Sequence, residues 1–373
     1  MIYFDNAATG GRKPDGVQTA FASAIKVCAN PGRSGHKLSL SAAKLVENCR
    51  HALNTYFDGY GFDQVAFTKN CTEALNIALF GVLEQGDHVV ATCMEHNSVL
   101  RPLESLKKAG VITYDICPLH SGNVRAEDVS KLIKPNTKLV AITAASNVTG
   151  AIPDLFSIKK ALPKQVLLLC DGAQGAGHLN LKMKGADIDL LTIAGHKGML
   201  GAQGSGALLF SDRVSPRPLL FGGTGSMSIS LAMPDFYPDA LEAGTLSVPA
   251  IASLLEGVRY LTLHQKEIET TLLDLTAYLL HALSGLENFH TFSKPNPCGI
   301  VSFKHREIPS DRLADLLSTK YNIAVRGGLH CAPLMHEALS TLDCGLVRVS
   351  FSHYNKLREI DELLFALQEI DKL

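Results

Sequence analysis

The run Asp187-Ile-Asp-Leu-Leu-Thr-Ile-Ala-Gly-His-Lys-Gly-Met-Leu-Gly-Ala-Gln-Gly-Ser-Gly206 decides how this chain is read. Its apolar part, Leu190–Ala194, stops abruptly at Gly195, His196 and Lys197, and more glycines follow. An apolar run that short, without polar alternation, predicts a strand buried on both faces of a parallel sheet. Lys197 then stands at the carboxyl edge of the sheet, where open α/β proteins bind their ligands. An amine held there among apolar neighbours loses its proton readily and becomes a nucleophile toward an aldehyde. Most lysines are solvated surface charges, so the reading rests on what surrounds this one.

Outward from that strand, Val89–Thr92, Leu139–Thr143, Val166–Cys170 and Ala207–Phe210 read as further strands. The mixed segments Thr72–Leu83, Ser98–Ala109, Ala126–Ile133 and Leu155–Leu162 read as helices between them, punctuated by Gly81, Gly86, Gly110 and Pro135. The alternation predicts an α/β fold with a mostly parallel sheet covered on both faces. Residues 221–249 turn rich in Gly and Pro, too long for a tight connection and therefore expected to be functional. A helical pattern resumes at Ala250 and runs to about Gly285. Beyond it, Gly299–Phe303, Ile323–Arg326 and Leu346–Phe351 read as strands of a smaller α+β domain, closed by an amphipathic helix over Glu359–Lys372. The expected division is a large domain over 14–250 and a small one over 251–373 joined by 1–13.

Composition narrows the function classes. With 46% hydrophobic and 19% charged residues in 373, the chain can bury a large core, and disorder is not expected. A formal net charge of −1 with no dense Lys/Arg run argues against nucleic acid or an anionic membrane as the main partner. No apolar run approaches the ~18 residues of a membrane span. The start, Met-Ile-Tyr-Phe-Asp-Asn, lacks the basic and apolar regions of a signal peptide. Nine cysteines form no compact framework and lie mostly in apolar segments. A reduced, cytoplasmic protein is the expectation.

Three of the apolar runs end in polar groups: Asn147, Asp171 and Lys197. If their strands are parallel neighbours, an amide, a carboxylate and an amine converge on one crevice. An aldehyde-bearing pyridine cofactor needs that set: an amine for the imine, a carboxylate to keep the ring nitrogen protonated, an amide for the ring hydroxyl. Taken alone, Asp171 equally suits a helix cap in Asp-Gly-Ala-Gln. Thr72, in Asn-Cys-Thr-Glu, fits an anion site at a helix N-terminus or an ordinary N-cap. His96 would cap the helix Ser98–Ala109 by default. Cys331 lies in the polar, Gly-rich Val325-Arg-Gly-Gly-Leu-His-Cys-Ala-Pro, where Arg326 and His330 would favour a thiolate. A plain buried thiol is the alternative there. His330, Cys331 and His336 lack a second ligand pair, so no metal site is expected. The run Gly201–Gly206 precedes a strand rather than a helix, against a dinucleotide loop and a nicotinamide dehydrogenase.

In their order from Asp5-Asn-Ala-Ala-Thr to Arg348-Val-Ser-Phe-Ser-His-Tyr-Asn, these motifs resemble those of class-V aminotransferase-type, pyridoxal-phosphate-dependent enzymes of fold type I. Within them the chain resembles the cysteine desulfurases of group II, nearly end to end. The resemblance implies that Lys197 bonds the cofactor, that Asp171 meets the ring nitrogen, and that Gln174 and Asn147 meet the ring hydroxyl. It implies that His96 stacks on the ring and assists proton transfer. Cys71, Thr72 and His196 fall on the cofactor side, with Thr72 and His196 at the phosphate. Thr245 would reach the phosphate of a second subunit in a homodimer. Arg348 would grip the substrate carboxylate, with Arg33 and His36 at the edge of the site. Cys331 would carry sulfur from L-cysteine as a persulfide, releasing L-alanine and later passing sulfur to an acceptor protein. Family members usually carry Ser or Thr two residues before the histidine that precedes the lysine; here that residue is Ala194, so one phosphate donor is missing. Selenocysteine lyase, cysteine sulfinate desulfinase and transaminase activities fit the same scaffold, and a non-catalytic partner-binding scaffold is the reading of another class.

Overall fold

The computed structural model describes residues 1–27 and 29–372; Cys28 lies outside them. Strand β1 (Ile2–Tyr3) is followed by α1 (Asp15–Val27), α2 (Lys37–Tyr56), β2 (Val65–Thr68), α3 (Cys71–Val82), β3 (Asp87–Thr92), α4 (Asn97–Lys108) and β4 (Ile112–Cys117). Next come α5 (Ala126–Ser130), β5 (Thr137–Thr143), α6 (Leu155–Ala161), β6 (Leu167–Asp171), α7 (Met183–Ala186), β7 (Leu190–Ala194) and β8 (Gly206–Phe210). The chain closes with α8 (Val248–Leu283), β9 (Phe289–Thr291), β10 (Ile300–His305), α9 (Ser310–Tyr321), β11 (Ile323–Ala324), α10 (Pro333–Ala338), β12 (Val347–Ser350) and α11 (Leu357–Ile370).

Seven strands form the central sheet in the order β2-β8-β7-β6-β5-β3-β4. Strands β3 to β7 run parallel, whereas β8 is antiparallel to both β7 and β2. The reversal has a simple cause: β7 returns through Lys197–Ser205 with no crossover helix, and parallel pairing needs one. Both faces are covered. Along β5, Val140 and Ile142 enter one apolar core while Leu139 and Ala141 enter the other.

Edge strands β2 and β4 of the central sheet, the short strands β1 and β9, and helices α1, α2, α7, α9 and α10 lie outside the sequence reading. Strand β4, Ile-Thr-Tyr-Asp-Ile-Cys, is largely half-buried, so it carries polar side chains where an interior strand is uniformly apolar. Helix α2 buries Ala42, Val46, Cys49, Leu53 and Tyr56, a helical stripe whose small members hide its period. The helix expected over 126–133 stops at Ser130.

Helix α8 starts from Ser247 with Pro249 in its first turn, where proline's missing N–H costs nothing. Helices α1 and α2 pack against it. Beyond it, β9, β10 and β12 form a separate antiparallel sheet, and β1 pairs in parallel with β11. The N-terminus therefore lies against C-terminal strands. Asp5 bridges to Ser350, which brings the first residues beside β12. Among the described residues, no helix is long and apolar enough to cross a membrane.

Candidate active site

Register aligns the carboxyl ends of three neighbouring strands: Thr143 of β5 pairs with Asp171 of β6, and Asp171 with Thr192 of β7. Whatever leaves these strands enters one crevice. A cleft of about 500 Å³ opens there, and Asn147, Asp171 and Lys197 all line it. The loop carrying Lys197 is seated by two close backbone approaches. A Cβ on Gly177 would come within 2.1 Å of the Gly198 carbonyl, and one on Gly257 within 2.2 Å of the Met199 carbonyl. Only glycine lets the chain pass at these distances.

Burial pushes the Lys197 amine down from its ordinary range, with Asp171 opposing the shift. Asp171 has Oδ1 accepting from the Ala173 amide at 2.9 Å, and no cation pairs with it among the described residues. No helix starts there, so the carboxylate serves a turn rather than a helix cap. Beside it, the buried Cys71 thiol lies 3.5 Å from Oδ1 and 3.4 Å from the Thr192 hydroxyl. Gln174 donates to the Ala7 carbonyl at 2.9 Å. Asn147 donates to the His330 carbonyl at 2.7 Å, and its own carbonyl accepts from Arg348 at 3.0 Å.

His96 both caps α4 and lines the cleft. Its Nδ1 accepts from the Ser98 amide at 3.0 Å, which leaves the ring proton on Nε2. Burial pushes this imidazole down to about 4, against the pull of Asp171, so it is neutral at pH 7. His196 pairs with the Thr9 hydroxyl at 3.0 Å and is pushed down to about 4, by burial first and then by Lys197 and Lys13.

The cap of α3 is Asn70 rather than Thr72. Asn70 accepts from the Glu73 amide, and Glu73 accepts in return from the Lys69 amide. With the N-cap filled in this way, the Thr72 hydroxyl is free to face the cleft.

Other expected residues stand elsewhere. Arg348 is buried behind Asn147, with Nη2 held by Asp5 at 2.8 Å and Nε without a partner among the described residues. Arg33 donates to the Gly223 and Gly244 carbonyls and so pins the 221–249 loop. His36 caps α2 through the Ser39 amide. Thr245 follows Gly244 on the same loop. Within one chain, Arg33, His36 and Thr245 are outside the cleft.

Cys331 is exposed, whereas Cys49, Cys71, Cys93, Cys117, Cys170 and Cys298 are buried. It lies in an open groove that shares Thr72, His96 and Ser98 with the cleft. His330 and Cys331 have φ of 52° and 58°, two successive non-glycine residues in the left-handed region. The Cys331 carbonyl accepts from the Asn97 amide at 2.8 Å, which ties this bend to α4. Arg326 lies 3.9 Å from the thiol. His330 is not the cation expected beside it: burial pushes its imidazole far down, so it stays neutral.

Sequence reading missed two residues here, Glu95 and Ser98. Glu95 is fully buried, with Oε1 accepting from Thr92 Oγ1 at 2.5 Å and the Thr143 amide at 3.1 Å, and with Oε2 unpartnered among the described residues. It ties the end of β3 to the end of β5. Its place beside His96 was the only signal. Burial pushes its carboxyl up to about 8. A folded-state value above the unfolded one of ~4.3 means that folding holds a proton across that window, so stability falls as pH rises through it. Glu95→Gln mimics the protonated acid. The wild type should lose of the order of a few kcal/mol between pH 5 and pH 8, and the variant much less. Urea midpoints at both pH values measure this, and parallel losses in the two proteins would reject it.

A mostly parallel α/β sheet with a buried lysine, carboxylate and imidazole at its carboxyl edge defines a pyridoxal-phosphate-dependent enzyme of fold type I. The chain belongs to the class-V aminotransferase family, which matches residues 2–363. It is 32% identical to a probable cysteine desulfurase of Pyrococcus abyssi, covering 100% of this chain and 94% of that protein. A relative of the same description from Methanothermobacter thermautotrophicus is 30% identical, over 99% of this chain and 94% of its own length. The apo structure of a cysteine desulfurase from Thermococcus onnurineus superposes with a TM-score of 0.90 at 30% identity, over 100% of this chain and 94% of that one. The Escherichia coli cysteine desulfurase CsdA gives a TM-score of 0.88 at 25% identity, over 98% and 94%.

Proposed function

We propose that this chain is a cysteine desulfurase that converts L-cysteine to L-alanine and takes the sulfur onto Cys331 as a persulfide. The observation that carries the reading is the meeting of Lys197, Asp171 and His96 in one cleft, with the exposed Cys331 thiol at its mouth. Pyridoxal 5'-phosphate fits the donor set: a buried amine, a carboxylate with no cation of its own, a neutral imidazole and hydroxyls at two helix starts. Bound there, it supplies an electron sink for the pair left when a substrate α-proton departs.

The chain's own residues do the rest. Lys197, with its lowered proton affinity, accepts the α-proton. Asp171 would hold a proton on the ring nitrogen of the bound group, and Gln174 and Asn147 would serve its ring hydroxyl. His96, with its proton on Nε2, would stand against the bound ring and pass a proton to or from the substrate. Arg348 binds the substrate carboxylate once that anion competes with Asp5 for the guanidinium. The Cys331 thiolate attacks the substrate sulfur: an S–S bond forms, the C–S bond breaks, and its electron pair goes to the β-carbon, which takes up one proton to become the alanine methyl group, while the α-carbon regains the proton it lost. A reductant or an acceptor protein then removes the sulfur.

We read the large domain as 14–250 and the small one as 251–373 with 1–13. Two chains form the working unit, with Thr245 of each reaching the other's phosphate. Supporting this, the loop that bears Thr245 exposes Phe221, Ile229 and Leu231, apolar surface that a second chain would cover. The test is alanine formed from L-cysteine with a thiol reductant, by wild type and Cys331→Ala in parallel. Wild type forms alanine, and the variant falls by about 100-fold or more. Equal rates would remove the persulfide from Cys331. No alanine from either would discard cysteine as substrate, with selenocysteine tested next.

A further inference from the structure

Two helices begin at the cleft, and both have their caps filled from within the chain. Asn70 caps α3 through the Glu73 amide, and His96 caps α4 through the Ser98 amide. The second residue of each helix, Thr72 and Ser98, therefore carries a hydroxyl that capping does not occupy. These hydroxyls lie 2.8 Å apart, and both line the cleft. Ser98 Oγ is also 2.9 Å from His96 Nδ1. That nitrogen already accepts from the Ser98 amide, so the hydroxyl proton can turn elsewhere. On another wall of the same cleft, at the end of β7, Ala194 presents a methyl group and so offers no hydroxyl to a ligand. One donor is absent from β7, and an extra one stands on α4.

We propose that Ser98 holds the cofactor phosphate together with Thr72, taking over the hydroxyl contact that Ala194 cannot make. The assignment rests on the pyridoxal phosphate reading above. A phosphate dianion accepts from several donors at once, and a pair of hydroxyls in contact can each turn a proton to the same anion. At the start of α3 the amides of Cys71 and Thr72 lie ahead of the capped Glu73 amide, whereas the first amides of α4 are engaged by Cys331 and His96; both helix starts add a favourable dipole. Ser98 also touches His96, so the group that anchors the phosphate borders the group that faces the ring.

The test compares two ligands on the full chain stripped of cofactor: pyridoxal 5'-phosphate and pyridoxal, which lacks the phosphate. Ser98→Ala should weaken the phosphorylated ligand about tenfold, the loss of one charge-assisted hydrogen bond, and leave pyridoxal unchanged. Both are read from the visible absorbance of the bound ligand. Adding Ala194→Ser to Ser98→Ala should recover most of the loss by putting the hydroxyl back on β7, and Ser98→Thr should behave as wild type. Undiminished binding of the phosphorylated ligand by Ser98→Ala would overturn the assignment. So would an equal loss for both ligands, because the serine would then act through His96 rather than on phosphate. Failure of the wild type to take up either ligand would reject the cofactor reading itself, a result separate from any effect of the variants.

Discussion

Lys197→Ala should reduce alanine formation from L-cysteine by more than about 10³-fold and abolish covalent retention of the cofactor, yet leave the protein folded. The functional loss follows from position. Lys197 is the buried amine of the cleft, carried on a loop clamped by Gly177 and Gly257. Lys13, the other amine nearby, donates to the His196 carbonyl at 2.7 Å and does not line the cleft, so it cannot take over. The stability outcome follows from charge. A lysine whose folded pKa is lowered binds its proton less tightly folded than unfolded, so without cofactor its contribution grows less favourable as pH falls below the unfolded value of ~10.4. Removing it should raise the melting temperature of the cofactor-free protein at pH 7 and flatten its rise with pH. A variant that keeps cysteine turnover, or that melts below the wild type at pH 7, would contradict this account.

The same buried amine shows why the site was legible in the chain. Uniformly apolar runs such as Leu190–Ala194 belong to interior strands, and a polar residue that ends one is placed at the sheet edge by geometry alone. Register then does the rest: Thr143, Asp171 and Thr192 align across three strands, so Asp171 and Lys197 meet without any long-range signal in the sequence. What escaped reading depends on partners from distant segments. Arg348, expected at a substrate carboxylate, is paired with the carboxylate of Asp5, 343 residues away. His330 looked like a cation until burial made it neutral. Nearer in sequence, Thr72 suited an anion site and an N-cap equally, and Asn70, two residues before it, proved to fill the cap. Edge strand β4 and helix α2 were missed because one carries polar residues and the other mixes small and polar members, Ser39, Ala42, Cys49 and Arg50, into its buried stripe. Local chemistry is written in local sequence, whereas protonation and pairing are set by whatever the fold brings alongside.

Neighbouring strands carry two buried aspartates with opposite duties, and Asp189→Ala should expose the difference. Asp189, just before β7, is wholly buried at the sheet edge opposite the cleft. Its Oδ2 accepts from Lys159 Nζ and from the Leu168 amide, each at 2.8 Å, and its Oδ1 accepts from Arg213 Nε at 2.8 Å and from the Ser211 hydroxyl at 3.2 Å. Lys159 is itself only 7% exposed, so truncating Asp189 strands a buried ammonium with a backbone carbonyl and the more distant Asp187. Breaking such a pair from one side costs about 3–5 kcal/mol, a large part of the ~5–15 kcal/mol typical of a folded domain. Asp171 has no such partner; its carboxylate faces the cleft, where it is held for a ligand rather than for the fold. Asp171→Ala should therefore keep a urea midpoint near that of the wild type while losing cysteine turnover by about 10³-fold, because in the proposed function the ring nitrogen would lose its counter-charge. Asp189→Ala should lower the midpoint sharply, and whatever remains folded at low urea should keep its turnover. Equal midpoints for the two variants would mean that the strand ends are not divided between scaffold and chemistry in this way.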